Sequence, residues 1–101
     1  MAKLVILYGH PTDPAAFEDY YADHHLPFAG REMPNVRDAE NARVLSTPEG
    51  EPAPFYRIAQ MSYDTVADLR AGVSSEQGRA VLADLANFAT GGATTLVCET
   101  D

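Results

Sequence analysis

The chain has 101 residues, a size that fits one folded domain built around one hydrophobic core. With 46% hydrophobic and 22% charged residues, its composition is that of an ordinary globular protein. Its 15 acidic residues outnumber its 7 basic residues, which gives a formal net charge of -8. This charge argues against nucleic acid and against anionic membrane surfaces as partners, because both would repel it.

The single cysteine, Cys98, excludes an internal disulfide framework and a thiolate metal cluster. It falls in a strand predicted to be buried, where a structural role is expected. Near the amino end, the apolar run at residues 4–7 is too short for a signal peptide or a membrane span. We therefore expect a protein of the reducing cytoplasm that has no membrane partner.

The first predicted elements are a buried strand and an amphipathic helix. Residues 3–8 form a short apolar run, and Asp13 followed by Pro14 is typical of a helix start. Pro27 is expected to kink or end this helix near residues 24–27, because it removes a backbone hydrogen bond. The helix carries ring side chains at three- and four-residue intervals, with His25 at the edge of the stripe: Phe17, Tyr20, Tyr21, His24 and Phe28.

Hydrophobic runs, and the residues that interrupt them, predict the remaining elements. Three prolines between residues 46 and 54 forbid regular hydrogen bonding and predict a loop. Gly91 and Gly92 are expected to end the last helix. The predicted elements are a strand within 36–47, a strand at 55–63, a short helix at 64–69, a longer helix that begins at 74–76, and a strand at 93–99. The longer helix is expected to direct four side chains toward the core: Val81, Leu82, Leu85 and Phe88.

This β-α-β-β-α-β order predicts an α+β sandwich of the split β-α-β type. Two helices cover one face of a four-stranded sheet and leave the other face to water. The first and last strands are nonetheless apolar on both faces, which are formed by Leu4, Ile6 and Tyr8 against Val5 and Leu7, and by Leu96 and Cys98 against Val97. A second copy of the chain, packed sheet against sheet about a two-fold axis, is the simplest cover. The alternative is that loops or the tail cover that face.

Several segments resemble the EthD family, small proteins named for ethyl tert-butyl ether degradation. The most specific is YYADHHLPFA at residues 20–29, which resembles the tyrosine pair, histidine and proline of that family. The sequence departs from the family pattern in its second histidine, His24, and in the bulky Phe28; alignment on His-x-Pro favours His25 as the family's histidine. Further matching segments lie at residues 4–9, 13–17, 51–56 and 75–89.

The resemblance implies a ferredoxin-like monomer that forms a dimeric α/β barrel. The wider superfamily includes cofactor-free monooxygenases, lactone isomerases and polyketide cyclases, beside members with no known reaction. It therefore implies a cofactor-free enzyme or accessory protein that acts on a small, largely apolar organic compound in a degradative or secondary pathway. Oxidation, isomerisation and cyclisation are the implied reactions. The alternatives are a non-catalytic dimer that binds a ligand and a purely structural homodimer.

His25 is the leading catalytic candidate, because an imidazole can accept or donate a proton near neutral pH and because the resemblance singles it out. The alternative is a histidine that stabilises the kink through a hydrogen bond to the backbone or to a partner subunit. Tyr21 and Tyr8 are further catalytic candidates, since a phenol can orient a substrate oxygen. The alternative for both tyrosines is packing in the core.

Six further residues are candidates for ligand binding, with packing or turn capping as the alternative for each: Tyr20, His24, His10, Phe28, Asn87 and Phe88. Adjacent histidines on a helix point about 100° apart, so His24 and His25 cannot chelate one metal ion side by side. The sequence has no Gly-rich phosphate loop, Ser-His-Asp pattern or dinucleotide fingerprint. We therefore expect neither a metal ion nor a cofactor.

Overall fold

The structure, a computed structural model, describes residues 1–101. A π-helical turn, Tyr21–His25, joins the first two helices, and a 3-10 turn, Asp84–Asn87, follows the fourth. The strands are β1 (Ala2–Tyr8), β2 (Asp38–Arg43), β3 (Arg57–Tyr63) and β4 (Ala93–Glu99), and the helices are α1 (Pro14–Tyr20), α2 (Leu26–Glu32), α3 (Val66–Ser74) and α4 (Glu76–Ala83).

The four strands form one antiparallel sheet in the order β2-β3-β1-β4. In its register, Ile6 of β1 lies opposite Ala59 of β3 and Thr95 of β4. Alternate residues of β1 are buried against the helices, whereas Val5 and Leu7 between them are only half-buried on the other face. This arrangement is the predicted α+β ferredoxin-like fold. None of the helices is long and apolar enough to cross a bilayer.

The predicted helix starts are confirmed by their side-chain caps. Asp13 accepts a hydrogen bond from the amide of Ala16 at the start of α1. Thr65 and Ser75 cap α3 and α4 in the same way. Each cap satisfies an amide hydrogen that has no partner within its own helix.

The core consists of two clusters that meet along β1. One contains Ile6, Tyr8, Phe17, Tyr21, Ala59, Leu85 and Phe88. The other contains Ala2, Leu4, Met33, Tyr63, Leu69 and Val81. The predicted inward face of the last helix is confirmed, since Val81, Leu85 and Phe88 are buried and Leu82 is half-buried.

Pro27 was expected to kink or end the first helix near residues 24–27; helical structure does not end there, but its α-helical hydrogen bonding is interrupted just before the proline. The chain changes to π-helical hydrogen bonding at Tyr21–His25, and the amide of Leu26 donates to the carbonyl of Tyr21. A new α-helical stretch then begins, with Pro27 in its first turn. A missing amide hydrogen costs little at that position, so helical structure continues to Glu32.

Other predictions also needed correction. The last helix ends before Gly91 and Gly92, since α4 ends at Ala83 and the 3-10 turn at Asn87. The strand predicted at residues 55–63 begins at Arg57. The strand within residues 36–47 is shorter, Asp38–Arg43, and all of its residues are exposed. Helix α3 continues past Leu69 to Ser74, where Ser75 becomes the cap of α4. Cys98 is half-buried rather than buried, because β4 forms an edge of the sheet with no further strand beside it.

Helices α3 and α4 approach closely at two glycines. A Cβ atom on Gly78 would collide with the carbonyl oxygen of Gly72, whereas one on Gly30 of α2 would meet no atom within 4 Å. We expect Gly78→Ala to lower the free energy of unfolding by about 1–3 kcal/mol, because the helices must separate. Gly30→Ala, the matched control, should raise it by about 0.5–1 kcal/mol. Urea unfolding measures both, and equal effects would contradict the close approach.

Candidate active site

The site is built around a buried pair of side chains, His25 and Asp84. His25 ends the π-helical turn, and Asp84 begins the 3-10 turn after α4. Nδ1 of the imidazole lies 2.8 Å from Oδ2 of the carboxylate, and the two side chains are 5% and 12% exposed. The other carboxylate oxygen accepts hydrogen bonds from the Tyr20 hydroxyl at 2.7 Å and from the Asn87 amide at 2.9 Å.

These contacts favour the ionised form of Asp84. Burial acts to raise the pKa of Asp84, but the hydrogen bonds from Tyr20, Asn87 and His25 outweigh it, so the pKa lies below its ordinary value. In the singly protonated imidazole, the ionised carboxylate favours the tautomer that carries its proton on Nδ1. Nε2 of His25 then carries a lone pair, in a side chain that lines a cavity.

Tyr21 and His25, four residues apart at the two ends of the π-helical turn, lie on the same side of the helical segment. Their rings are stacked at 16°, with centroids 5.8 Å apart. Both residues are buried, while Ala22, Asp23 and His24 between them are exposed. Single π-helical turns within α-helices are often found at functional sites. Here the change of hydrogen bonding that accommodates Pro27 coincides with the residues that form the site.

Tyr21 and Tyr8 place two phenols beside the imidazole. The hydroxyl of Tyr21 donates to Oδ1 of Asn41 at 2.6 Å. Tyr8 is fully buried, its ring lies edge-on to Tyr21, and its hydroxyl makes no hydrogen bond of good geometry. Burial raises the pKa of Tyr21 to about 12 and raises that of Tyr8 as well. Both phenols therefore carry their protons at neutral pH and can act as hydrogen-bond donors.

A cavity of about 520 Å³ lies between the sheet and the helices. Twelve of its 18 lining residues are hydrophobic, and they come from the three strands β1, β2 and β3, the π-helical turn, α2 with the segment that follows it, and α4. The lining residues with polar side-chain atoms are Tyr8, Tyr21, His25, Arg37, Asp38, Asn41 and Gln60. This size and this mostly apolar lining are typical of sites for small organic molecules. No group of three or more His, Cys, Asp or Glu side chains is arranged to hold a metal ion.

The three residues predicted to be catalytic, His25, Tyr21 and Tyr8, all line this cavity. The two adjacent histidines are clearly distinguished. His25 is buried in the cavity wall, whereas His24 is exposed and packs against Tyr20 outside it, with ring centroids 5.1 Å apart. The alignment on His-x-Pro therefore singles out the histidine that lines the cavity.

The other predicted ligand-binding residues do not line the cavity. Tyr20 and Asn87 hold the carboxylate of Asp84, and Phe88 packs in the core with its centroid 4.7 Å from that of His25. His10 is exposed, and its Nε2 lies 2.8 Å from the carbonyl oxygen of Ala53. Phe28 lines a separate shallow depression with Glu32 and Gln77. A contact of these residues with a ligand stays a prediction.

Sequence reasoning missed three residues of the site: Asp84, Asn41 and Arg57. Asp84 lies within the segment at residues 75–89 that resembles the family, and that segment was the available signal. Arg57 shares a strand face with Ala59 and Met61. A charged residue on an apolar face is rarely buried without a partner, and this was the available signal for Arg57. Asn41 had no signal, because β2 is exposed along its whole length.

Arg57 extends the site on the face of the Tyr21 ring. Its guanidinium carbon lies 4.9 Å from the ring centroid. Nη2 of the same guanidinium donates to Oε1 of Glu18 at 2.6 Å. The site can thus hold a proton acceptor, His25, beside a phenol that has a cation against its ring. Such an arrangement can move a proton and stabilise the charge that develops on an oxygen.

Residues 9–92 match the sequence model of the EthD domain. The chain is 35% identical over 96 residues to an uncharacterized 11.0 kDa protein in the thcB-thcC intergenic region of Rhodococcus erythropolis, covering 95% of this chain and 91% of that protein. An ethyl tert-butyl ether degradation family protein from Bacillus halodurans superposes with a TM-score of 0.89 at 33% identity, covering 100% of this chain and 99% of the other.

Two more distant structures share the fold. A protein from Bacteroides fragilis, described as dimeric, of unknown function and ferredoxin-like, has a TM-score of 0.66 at 11% identity, covering 98% of this chain and 95% of its own. A hydroxynitrile lyase from Passiflora edulis has a TM-score of 0.74 at 12% identity, covering 99% of this chain and 94% of the lyase chain.

The lowered pKa of Asp84 predicts a pH dependence of stability. The folded state favours the ionised carboxylate, so this contribution is present above the ordinary pKa of 3.8 and is lost as the pH falls through the lower, folded-state pKa. Urea unfolding between pH 6 and pH 2 should therefore show a smaller loss of stability for Asp84→Asn than for the wild type. Asp23→Asn, an exposed control, should follow the wild type. Parallel curves for all three proteins would contradict the favourable ionisation.

Proposed function

The chain belongs to the EthD family, and we propose that it is a cofactor-free acid–base enzyme for a small, largely apolar organic compound. The observation that carries this proposal is the orientation of His25 by a buried carboxylate, in the wall of an apolar cavity that also contains two phenols. The proposed first step is the removal of a proton from the substrate. Isomerisation or cyclisation can follow from the anion that results, and oxidation can follow if dissolved dioxygen accepts the electrons.

In this proposal, Nε2 of His25 takes a proton from a carbon next to a carbonyl group, and the electron pair moves to the carbonyl oxygen. Tyr21 stabilises that oxygen by donating a hydrogen bond. Its hydroxyl becomes free to do so when the Asn41 amide turns over and donates from Nδ2 to the phenol oxygen. Return of the proton from Nε2 to a different carbon completes an isomerisation.

The fold of the chain is compatible with such chemistry. The hydroxynitrile lyase of Passiflora edulis is an enzyme on the same fold, although at 12% identity it supports the scaffold rather than the reaction. The proposed setting is a degradative or secondary pathway in the cytoplasm, where a single free cysteine such as Cys98 is ordinary.

Hydrogen–deuterium exchange tests the acid–base step without knowledge of the product. A panel of small cyclic ketones and unsaturated lactones is incubated with the protein in D2O, and loss of the acidic C–H signal is followed by NMR. We expect catalysed exchange for at least one compound, and a loss of about 10²–10⁴-fold in His25→Gln. Asp84→Asn should also lose rate, because an Asn amide donor would move the imidazole proton to Nε2.

Asp23→Asn is the matched control. It makes the same chemical change as Asp84→Asn, but at an exposed position of the π-helical turn that carries His25. It should exchange at the wild-type rate. Equal rates for wild type and His25→Gln would remove His25 from the mechanism. Retention of a panel compound in native mass spectra without exchange would identify a binding protein instead.

We also propose that two copies pack through the outer face of the sheet. Val5 and Leu7 of β1 and Ile58 of β3 lie on that face, and Leu96 of β4 is 41% exposed beside them. All four helices pack on the opposite face, so the apolar outer face has no cover within the chain. A second copy provides a matching surface. The protein from Bacteroides fragilis, which is described as dimeric, supports self-association on this fold.

The dimer predicts a specific effect of charge on the outer face. Leu96→Asp should convert the protein to a monomer, because a buried carboxylate would lack a partner in the interface. Ala67→Asp, at an exposed position of α3 on the helical side, is the control and should stay dimeric. Sedimentation equilibrium measures both masses. A wild-type monomer, or a Leu96→Asp dimer of unchanged strength, would contradict the proposal.

A further inference from the structure

Arg57 is a charged side chain on the inward face of the sheet, where its neighbours are aromatic. It lies directly opposite Tyr8 in the β1–β3 register, and its guanidinium stands over the ring of Tyr21 at 4.9 Å. Only 15% of the side chain is exposed. A cation so placed is attracted to the electron-rich face of the phenol ring, and more strongly to a phenolate.

A single carboxylate, that of Glu18 on α1, fixes the guanidinium in this place. Nη2 of Arg57 donates to Oε1 of Glu18 at 2.6 Å, and the Glu18 side chain is 34% exposed. Both Nε of Arg57 and Oε2 of Glu18 are buried without a hydrogen-bond partner. Removing these groups from water costs free energy that one ion pair does not obviously repay. An apolar side chain at position 57 would fill the same space without that cost.

We propose that Arg57, held by Glu18 against the Tyr21 ring, is a positioning residue that makes the Tyr21 hydroxyl a better proton donor toward the cavity. This inference rests on the proposed acid–base function and assigns two residues to it that do not line the cavity. Arg57 stabilises negative charge on the phenol as the hydroxyl gives up its hydrogen to a substrate oxygen. Glu18 sets the position of the cation and moderates its charge.

The pKa of Tyr21 depends on the charged and hydrogen-bonding groups around its ring and hydroxyl. Burial raises the pKa of the phenol, the charge of Arg57 lowers it, the nearby Tyr8 hydroxyl also lowers it, and the charge of Glu18 raises it. Asn41 accepts the hydroxyl hydrogen from the side of β2, and His25 stacks on the ring from the helix. Of the two charged groups, Arg57 and Glu18, only Arg57 favours the phenolate.

The two charged residues therefore predict shifts of opposite sign. Arg57→Gln removes the cation and leaves Glu18, so the pKa of Tyr21 should rise by about one unit or more. Glu18→Gln leaves the cation without its counter-charge, so the pKa should fall. Arg57→Lys retains the charge and should hold the pKa closer to the wild-type value than Gln does.

The shifts are measured by ¹⁹F NMR of protein labelled with 3-fluorotyrosine, because fluorination lowers the pKa of a phenol and brings that of Tyr21 closer to the accessible range. The chain has five tyrosines, and a Tyr21→Phe variant assigns the resonance of interest. Arg70→Gln is the control, since Arg70 lies at an exposed position of α3 and does not line the cavity. It should leave the Tyr21 midpoint unchanged.

Midpoints that rise in Arg57→Gln and fall in Glu18→Gln would support the proposal. Midpoints that stay fixed, or that move in the same direction in both variants, would overturn it. If Arg57→Gln does not fold, the Glu18→Gln and Arg57→Lys titrations decide, because both variants keep a cation at the site. The titration needs no turnover, so failure of this inference is distinct from failure of the acid–base function, which the deuterium exchange of His25→Gln reports.

Discussion

The register of β1 is the constraint on which the rest of the structure depends. This strand lies between β3 and β4 and gives inward side chains to both core clusters. A slip of β1 by one residue would turn Val5 and Leu7 inward and the buried side chains of this strand outward. The same slip would remove Tyr8 from beneath Tyr21 and Phe17. The pairing that builds the core therefore also places one wall of the cavity.

A second constraint acts along the first helical segment. An uninterrupted α-helix would need an amide hydrogen at Pro27, which proline lacks. The change to π-helical hydrogen bonding at Tyr21–His25 lets a new α-helical turn begin just before the proline. Helical structure thereby reaches Met33, whose side chain is buried in the second core cluster. One local rearrangement thus joins the site to the packing of the whole helical layer.

Most of the fold could be predicted from sequence because its signals are local. The caps at Asp13, Thr65 and Ser75 and the apolar run of β1 each act over a few residues. The exposed strand β2 was placed too broadly, since it is bound only by its pairing with β3. The π-helical turn has no such local signal. It forms because Pro27 lacks an amide hydrogen while the helical segment continues past it.

The site was only half predictable for a related reason. His25, Tyr21 and Tyr8 belong to patterns that are visible along the chain, whereas their partners are distant in sequence. Asp84 reaches His25 across 59 residues, and Arg57 reaches Glu18 across 39. Nothing local marks either pairing, since each depends on how α4 and β3 are placed against the first helix.

These two pairings also explain how an acidic chain can form an apolar site. The net charge is -8, yet the two carboxylates nearest to the phenols are each engaged by a nitrogen side chain. Asp84 is held at His25 and Glu18 at Arg57, so neither carboxylate faces the cavity as an uncompensated charge. A charged ligand would find no free opposite charge beside Tyr21, whereas an uncharged molecule with one polar oxygen would lose little on leaving water. The electrostatics of the chain therefore favour the same class of compound as the apolar lining does.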